Sequence, residues 1–128
     1  MKLLNLILIA LLLFSCTKEE EKGQTKPVFV SEVVIPLFAN IEESTPIHVK
    51  AYAPNGCWSN VKIYLRKTQE NHYRITATGF FNGNLTCSDI LIEKDTTFHL
   101  TFKSAGKYYF QSNENPLILK HDTITITN

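Results

Sequence analysis

Beyond residue 14 the chain has no long apolar run. The one present, Leu3 to Phe14 with Asn5 inside it, falls short of the roughly 20 residues that a membrane-spanning helix needs. No charge sign dominates. The 13 Lys and Arg face 12 Asp and Glu, a net charge of +1, so no basic field exists to hold nucleic acid. Glycine is scarce, at 5 residues. No GxSxG, HExxH or phosphate-cradling glycine motif occurs, which argues against an enzyme and against a bound cofactor. The Asp and Glu residues lack the regular short spacing of a calcium loop. The cysteines lack CxxC or Cys/His zinc spacing, so no metal ligands are assigned. After residue 16 no segment shows a helical stripe with caps, which leaves an all-β chain.

The N-terminus reads Met-Lys followed by the apolar run and Leu13-Phe14-Ser15-Cys16. A short basic start and an apolar core of this length are those of an export signal. The last four residues resemble the lipobox of bacterial lipoproteins, with an aliphatic residue three positions before Cys and a small residue just before it. The resemblance implies cleavage after Ser15 and a lipid on Cys16, hence a membrane partner and an outer-membrane location. Thr17-Lys18-Glu19-Glu20-Glu21-Lys22 comes next; with no apolar residue it is a solvated tether. It is similar to the Lys-plus-acidic run that sends some Bacteroidota lipoproteins to the cell surface, so the surface side is favoured over the periplasmic side. The expected organisation is a signal peptide over 1–15, a lipidated Cys and tether over 16–27, and a domain over 28–128.

Within that domain, period-2 alternation marks half-buried strands. Ile47, Val49, Ala51 and Ala53 alternate with His48, Lys50 and Tyr52. The same holds around Ile63 and Leu65, around Ile75, around Phe98 and Leu100, at Tyr108 and Phe110, and at Ile124 and Ile126. Pro36 marks an edge or bulge in the apolar stretch Val28 to Phe38. Gln69-Glu70-Asn71 links two alternating runs as a hairpin. Asn82-Gly83 predicts a tight turn to a strand near Leu85. About seven or eight short strands with frequent turns predict an antiparallel sandwich. Its inside is expected to hold Val49, Ile63, Leu65, Ile75, Phe98, Leu100, Tyr108, Phe110 and Ile124.

Ser104-Ala105-Gly106-Lys107-Tyr108 resembles the E–F corner of immunoglobulin-like domains, where a tyrosine hydroxyl ties down the chain. The resemblance covers residues 28–128 and implies an antiparallel immunoglobulin-like β-sandwich. Phe110 stands where antibody domains have their second cysteine, so the usual inter-sheet bridge is absent.

Cys57 and Cys87 form an even pair in an exported domain and read as one disulfide, with free thiols as the alternative. Trp58, beside Cys57, and Phe80-Phe81, beside the Asn82-Gly83 turn, are candidate contact residues for a protein or glycan partner; otherwise they fill the ends of a small core. His48 and His99 fall on the polar phase of their strands. Asp95-Thr96-Thr97 and Asp122-Thr123-Ile124 resemble the O-glycosylation site of exported Bacteroidota proteins. The expected function is a non-catalytic binding or accessory lipoprotein. The alternative is an inhibitor of an extracellular hydrolase that uses the disulfide-braced loop.

Overall fold

The computed structural model describes residues 23–115 and 117–128. The apolar run, Cys16 and Lys18 to Lys22 lie outside the described residues. Eight strands succeed one another: β1 (Gln24–Val34), β2 (Phe38–Asn40), β3 (Ser44–Ala53), β4 (Trp58–Gln69), β5 (His72–Phe81), β6 (Ile92–Thr101), β7 (Gly106–Asn115) and β8 (Ile118–Thr127). Their order is β2-β8-β7-β5-β1-β3-β6, with β4 on the free flank of β5. The sheet curls so that β4 packs back across β3 and β6. The all-β class is as expected. The purely antiparallel arrangement is not: β2 runs parallel to β8, and β5 runs parallel to β7.

The strand that changes partners explains the mixed sheet. β1 pairs with β5 from Gln24 to Val28, then with β3 from Phe29 to Val34, and it bulges between Val30 and Glu32. A bulge adds the local bend that such a crossing needs. Because β1 covers only Ala77 to Phe81 of β5, the half from His72 to Ile75 is left open. β7 takes it in parallel through Tyr109 to Ser112. Pro36 plays the corresponding part at the other end of β1. The chain leaves the ladder there, and Phe38 to Asn40 settle beside β8. Alternation reports which face a residue takes and is silent about strand direction.

The core runs through β1, β3, β5, β7 and β8, and its largest fully buried side chains include Phe102, Phe110, Ile47, Ile75 and Ile124. Val49, Ile75, Tyr108, Phe110 and Ile124 are buried as expected. Ile63, Leu65, Phe98 and Leu100 are only partly buried. They lie on β4 and β6, each paired on one flank, so their side chains sit at the margin of the core.

The hairpin through Gln69 to Asn71 forms, with Ile63 opposite Ala77 and Leu65 opposite Ile75. The strand expected near Leu85 does not. Gly83 takes a positive φ of 83°, and the Asn84 N–H donates to Asn82 Oδ1 at 2.9 Å. Residues 82–91 then run as a loop to β6. Both flanks of β5 are already occupied, by β4 on one side and by β1 and β7 on the other, so a strand folding back at Asn82 finds no open edge.

At the opposite end, the Tyr108 hydroxyl donates to the Ser104 carbonyl at 3.0 Å and lies 2.9 Å from Ser104 Oγ. The ring is buried against Phe102, with centroids 4.5 Å apart. The tie expected from the corner motif is therefore present.

Candidate functional site

The handover from β7 to β1 along β5 opens a seam. β7 pairs with β5 up to Ser112 opposite Ile75, and β1 takes over at Val28 opposite Ala77. A groove of about 520 Å³ lies there, lined by Lys26, Pro27, Val28 and Phe29 of β1, Trp58 of β4, and Asn113 and Asn115 of β7. Its walls are largely apolar, with a few polar groups, a composition common to ligand sites. Asn113 Oδ1 is buried there without a hydrogen-bond partner. A buried carbonyl oxygen left unpaired costs free energy, and rotation of the Asn113 amide toward a donor in the groove would recover it. The Asn115 carboxamide is already engaged, since its Oδ1 accepts from the N–H groups of Leu117 and Ile118 at 2.8 and 2.9 Å.

Trp58 is held from three sides. Cys57 is bonded to Cys87, with Cα atoms 5.3 Å apart, inside the range a disulfide requires. The Gly56 N–H donates to the Ser88 carbonyl at 2.9 Å, and the Asn82 N–H donates to the Cys57 carbonyl at 3.0 Å. The indole tilts onto Phe81, with centroids 5.3 Å apart. Beneath it lies Gly79, where an added Cβ would come within 3.2 Å of the Trp58 ring and 3.1 Å of Val28. The missing side chain is what lets the indole approach β5 closely. Lys26 Nζ sits 5.1 Å from the Phe81 ring centre, a cation–π distance that brings one positive charge to the rim.

Of the candidate contact residues, Trp58 lines the groove, Phe81 supports it from behind, and Phe80 is 39% exposed outside the groove lining. Adjacent residues on a strand face opposite ways, which separates Phe80 from Phe81. Cys57 and Cys87 come together; Cys16 lies outside the described residues. Nothing in the sequence singles out Phe29 or Asn113. Asn113 sits in the polar run Gln111-Ser112-Asn113-Glu114-Asn115, which carries no signal distinguishing a groove wall from a solvent face.

The four histidines fall in two places, His48 and His99 on the β3–β6 pair and His72 and His121 around one small cavity beside Tyr109. His48 pairs across the sheet with Thr97, its Nδ1 3.1 Å from the Thr97 hydroxyl and its Nε2 3.5 Å from Asp95. His99 stands opposite Pro46. Among the described residues no group of three or more His, Cys, Asp or Glu is placed to hold a metal ion. Thr123 is exposed on β8 and Thr96 is partly covered on β6. Among the described residues, two groups have shifted titration. The Glu32 carboxylate, hydrogen-bonded at 3.2 Å, raises Lys50 above its usual value. Burial among aromatic rings raises Tyr73, with a smaller contribution from Tyr108. Neither residue lines the groove.

Compared with protein-family models, curated proteins and solved structures, the chain matches none.

Proposed function

We propose that the protein is a lipid-anchored outer-membrane lipoprotein, displayed toward the cell surface through Cys16, whose domain binds a ligand non-catalytically in the Trp58 groove. The lipobox-like ending and the charged run after it support the anchor. One observation carries the binding site: the seam between β1 and β7 brings a braced indole, Phe29 and Pro27 into one groove with Asn113, whose amide oxygen is unpartnered. This combination suits a neutral ligand with an apolar face and a hydrogen-bond donor. A sugar ring has both, its C–H face for the indole and its hydroxyls for the amide. The inhibitor reading is less favoured. A loop that enters another protein's active site must project, whereas Trp58 packs inward on Phe81 and Gly79. The corner tied by Tyr108 supports an immunoglobulin-like ancestry, from which the parallel β5–β7 pair departs.

Trp58 is the only tryptophan, so emission excited selectively at tryptophan reports on the groove. Titration of the full chain with a panel of neutral soluble oligosaccharides should give a saturable emission change for at least one of them. Asn113→Ala should weaken that binding by roughly tenfold, the loss of one well-placed hydrogen bond. Binding measured by titration calorimetry and unaffected by both Asn113→Ala and Trp58→Ala would place the ligand elsewhere.

A further inference from the structure

The two ends of the curled sheet differ in the apolar side chains they leave in water, and the chain enters at one of them. Register places the first residues of β1 at the Trp58 end: Gln24 pairs with Phe81, and Phe81 pairs with Trp58. The β5–β6 loop leaves from Phe81, and the β7–β8 turn adjoins the same groove through Asn115. Six large apolar residues on these two connections and at the start of β8 are exposed: Leu85 (99%), Leu117 (93%), Ile90, Leu91, Ile118 and Leu119. Cys57–Cys87 and the Gly56–Ser88 hydrogen bond pin the first loop, so its leucines are held outward on a braced segment.

We infer that this tip docks on the lipid bilayer that holds Cys16, with Leu85, Ile90, Leu91, Leu117 and the first residues of β8 in the interfacial layer. The inference rests on the lipoprotein reading. Seven residues from Cys16 to Gly23 span at most about 25 Å, so a lipid on Cys16 keeps the Trp58 end close to the membrane. The opposite end, where Leu37 and Phe38 are also exposed, stands a strand length away, about 30 Å for the ten residues of β3. Asp89 and Glu114 flank the tip on exposed positions. The attraction therefore comes from apolar area and does not call for anionic lipid. Trp58 and Asn115 lie at this same end, and Val28 lies about 13 Å farther along β1, so the groove opens beside the docked tip.

The test uses the full, matured chain in phosphatidylcholine vesicles with brominated acyl chains. A single tryptophan is moved, in a Trp58→Phe background, to the tip (Leu117→Trp) or to the far end (Phe38→Trp). Mass spectrometry of the Cys16 peptide is read in parallel. The expected result is lipid on Cys16, a roughly twofold or greater loss of emission at the tip, and none at the far end. Adding Leu85→Asp and Leu91→Asp should restore the tip emission. Lipid on Cys16 with no quenching at the tip, or equal quenching at both ends, overturns the docking and leaves the lipoprotein reading standing. The same lipidated, unquenched protein forming a dimer that Leu85→Asp disperses also overturns it, with a second copy as the occupant. An unmodified Cys16 overturns the lipoprotein reading and the docking with it.

Discussion

The Tyr108 end and the Trp58 end of this sheet are ordered by different means. At the Tyr108 end the connections are short, and buried rings organise them. Tyr108 ties the corner through Ser104, Phe102 plugs the link between β6 and β7, and Tyr73 stacks on Phe110 with centroids 5.0 Å apart. At the Trp58 end the ten-residue stretch 82–91 contains no strand, and its leucines face water. What orders it is a covalent bond and a few backbone hydrogen bonds. An end whose apolar side chains face water is not ordered by burying them. A disulfide supplies the order that burial would otherwise give, and it acts mainly by restricting the unfolded chain.

Substitutions at each end put that contrast at risk. The largest effect belongs to the core that serves the corner. Phe110→Ala should cost about 3–5 kcal/mol, with a lower urea midpoint for the whole domain. Replacing both cysteines by serine should cost about 3–4 kcal/mol, because the bridge spans a separation of 30 residues. Here a second readout separates the ends: Trp58 emission should shift red even under native conditions, before the domain unfolds. Tyr108→Phe keeps the ring and removes the hydroxyl from the Ser104 carbonyl. It should cost about 1–2 kcal/mol and leave Trp58 emission unchanged.

The smallest expected effect is a pH dependence confined to the aromatic end. Burial raises Tyr73 above its ordinary value of 10.0, so the folded state holds the phenol proton more tightly than the unfolded state does. The stability linked to that proton is complete below pH 10 and declines as pH rises from there through the folded value. Tyr73→Phe should flatten this part of the alkaline stability curve in urea melts. An unchanged slope would show that Tyr73 is not the group responsible.

Much of the fold is legible in the residues, and the limits have physical causes. Alternation marks Ile47 to Ala53 and the hairpin around Glu70, because a strand with one buried face must repeat every second residue. It does not mark the parallel pairing of β5 with β7. That pairing depends on β1 leaving β5 halfway, an event decided by tertiary packing. The Asn82-Gly83 signal misleads for the same reason: the turn forms locally, but both flanks of β5 are already taken and residues 84–91 cannot pair back along it. In the site, Trp58 and the cysteine pair are visible because tryptophan and cysteine are rare in this chain. Asn113 is not, because an asparagine on a polar stretch of strand looks the same whether its amide meets solvent or a groove.

Hydrogen exchange of the intact and the disulfide-reduced domain, read segment by segment, tests the division of labour between the two ends most directly. The account predicts that reduction raises exchange across residues 54–58 and 80–92 while Tyr108 to Phe110 and the strands around Ile75 keep their protection. A uniform rise through β3, β5 and β7, or no rise in the 80–92 segment, would contradict it.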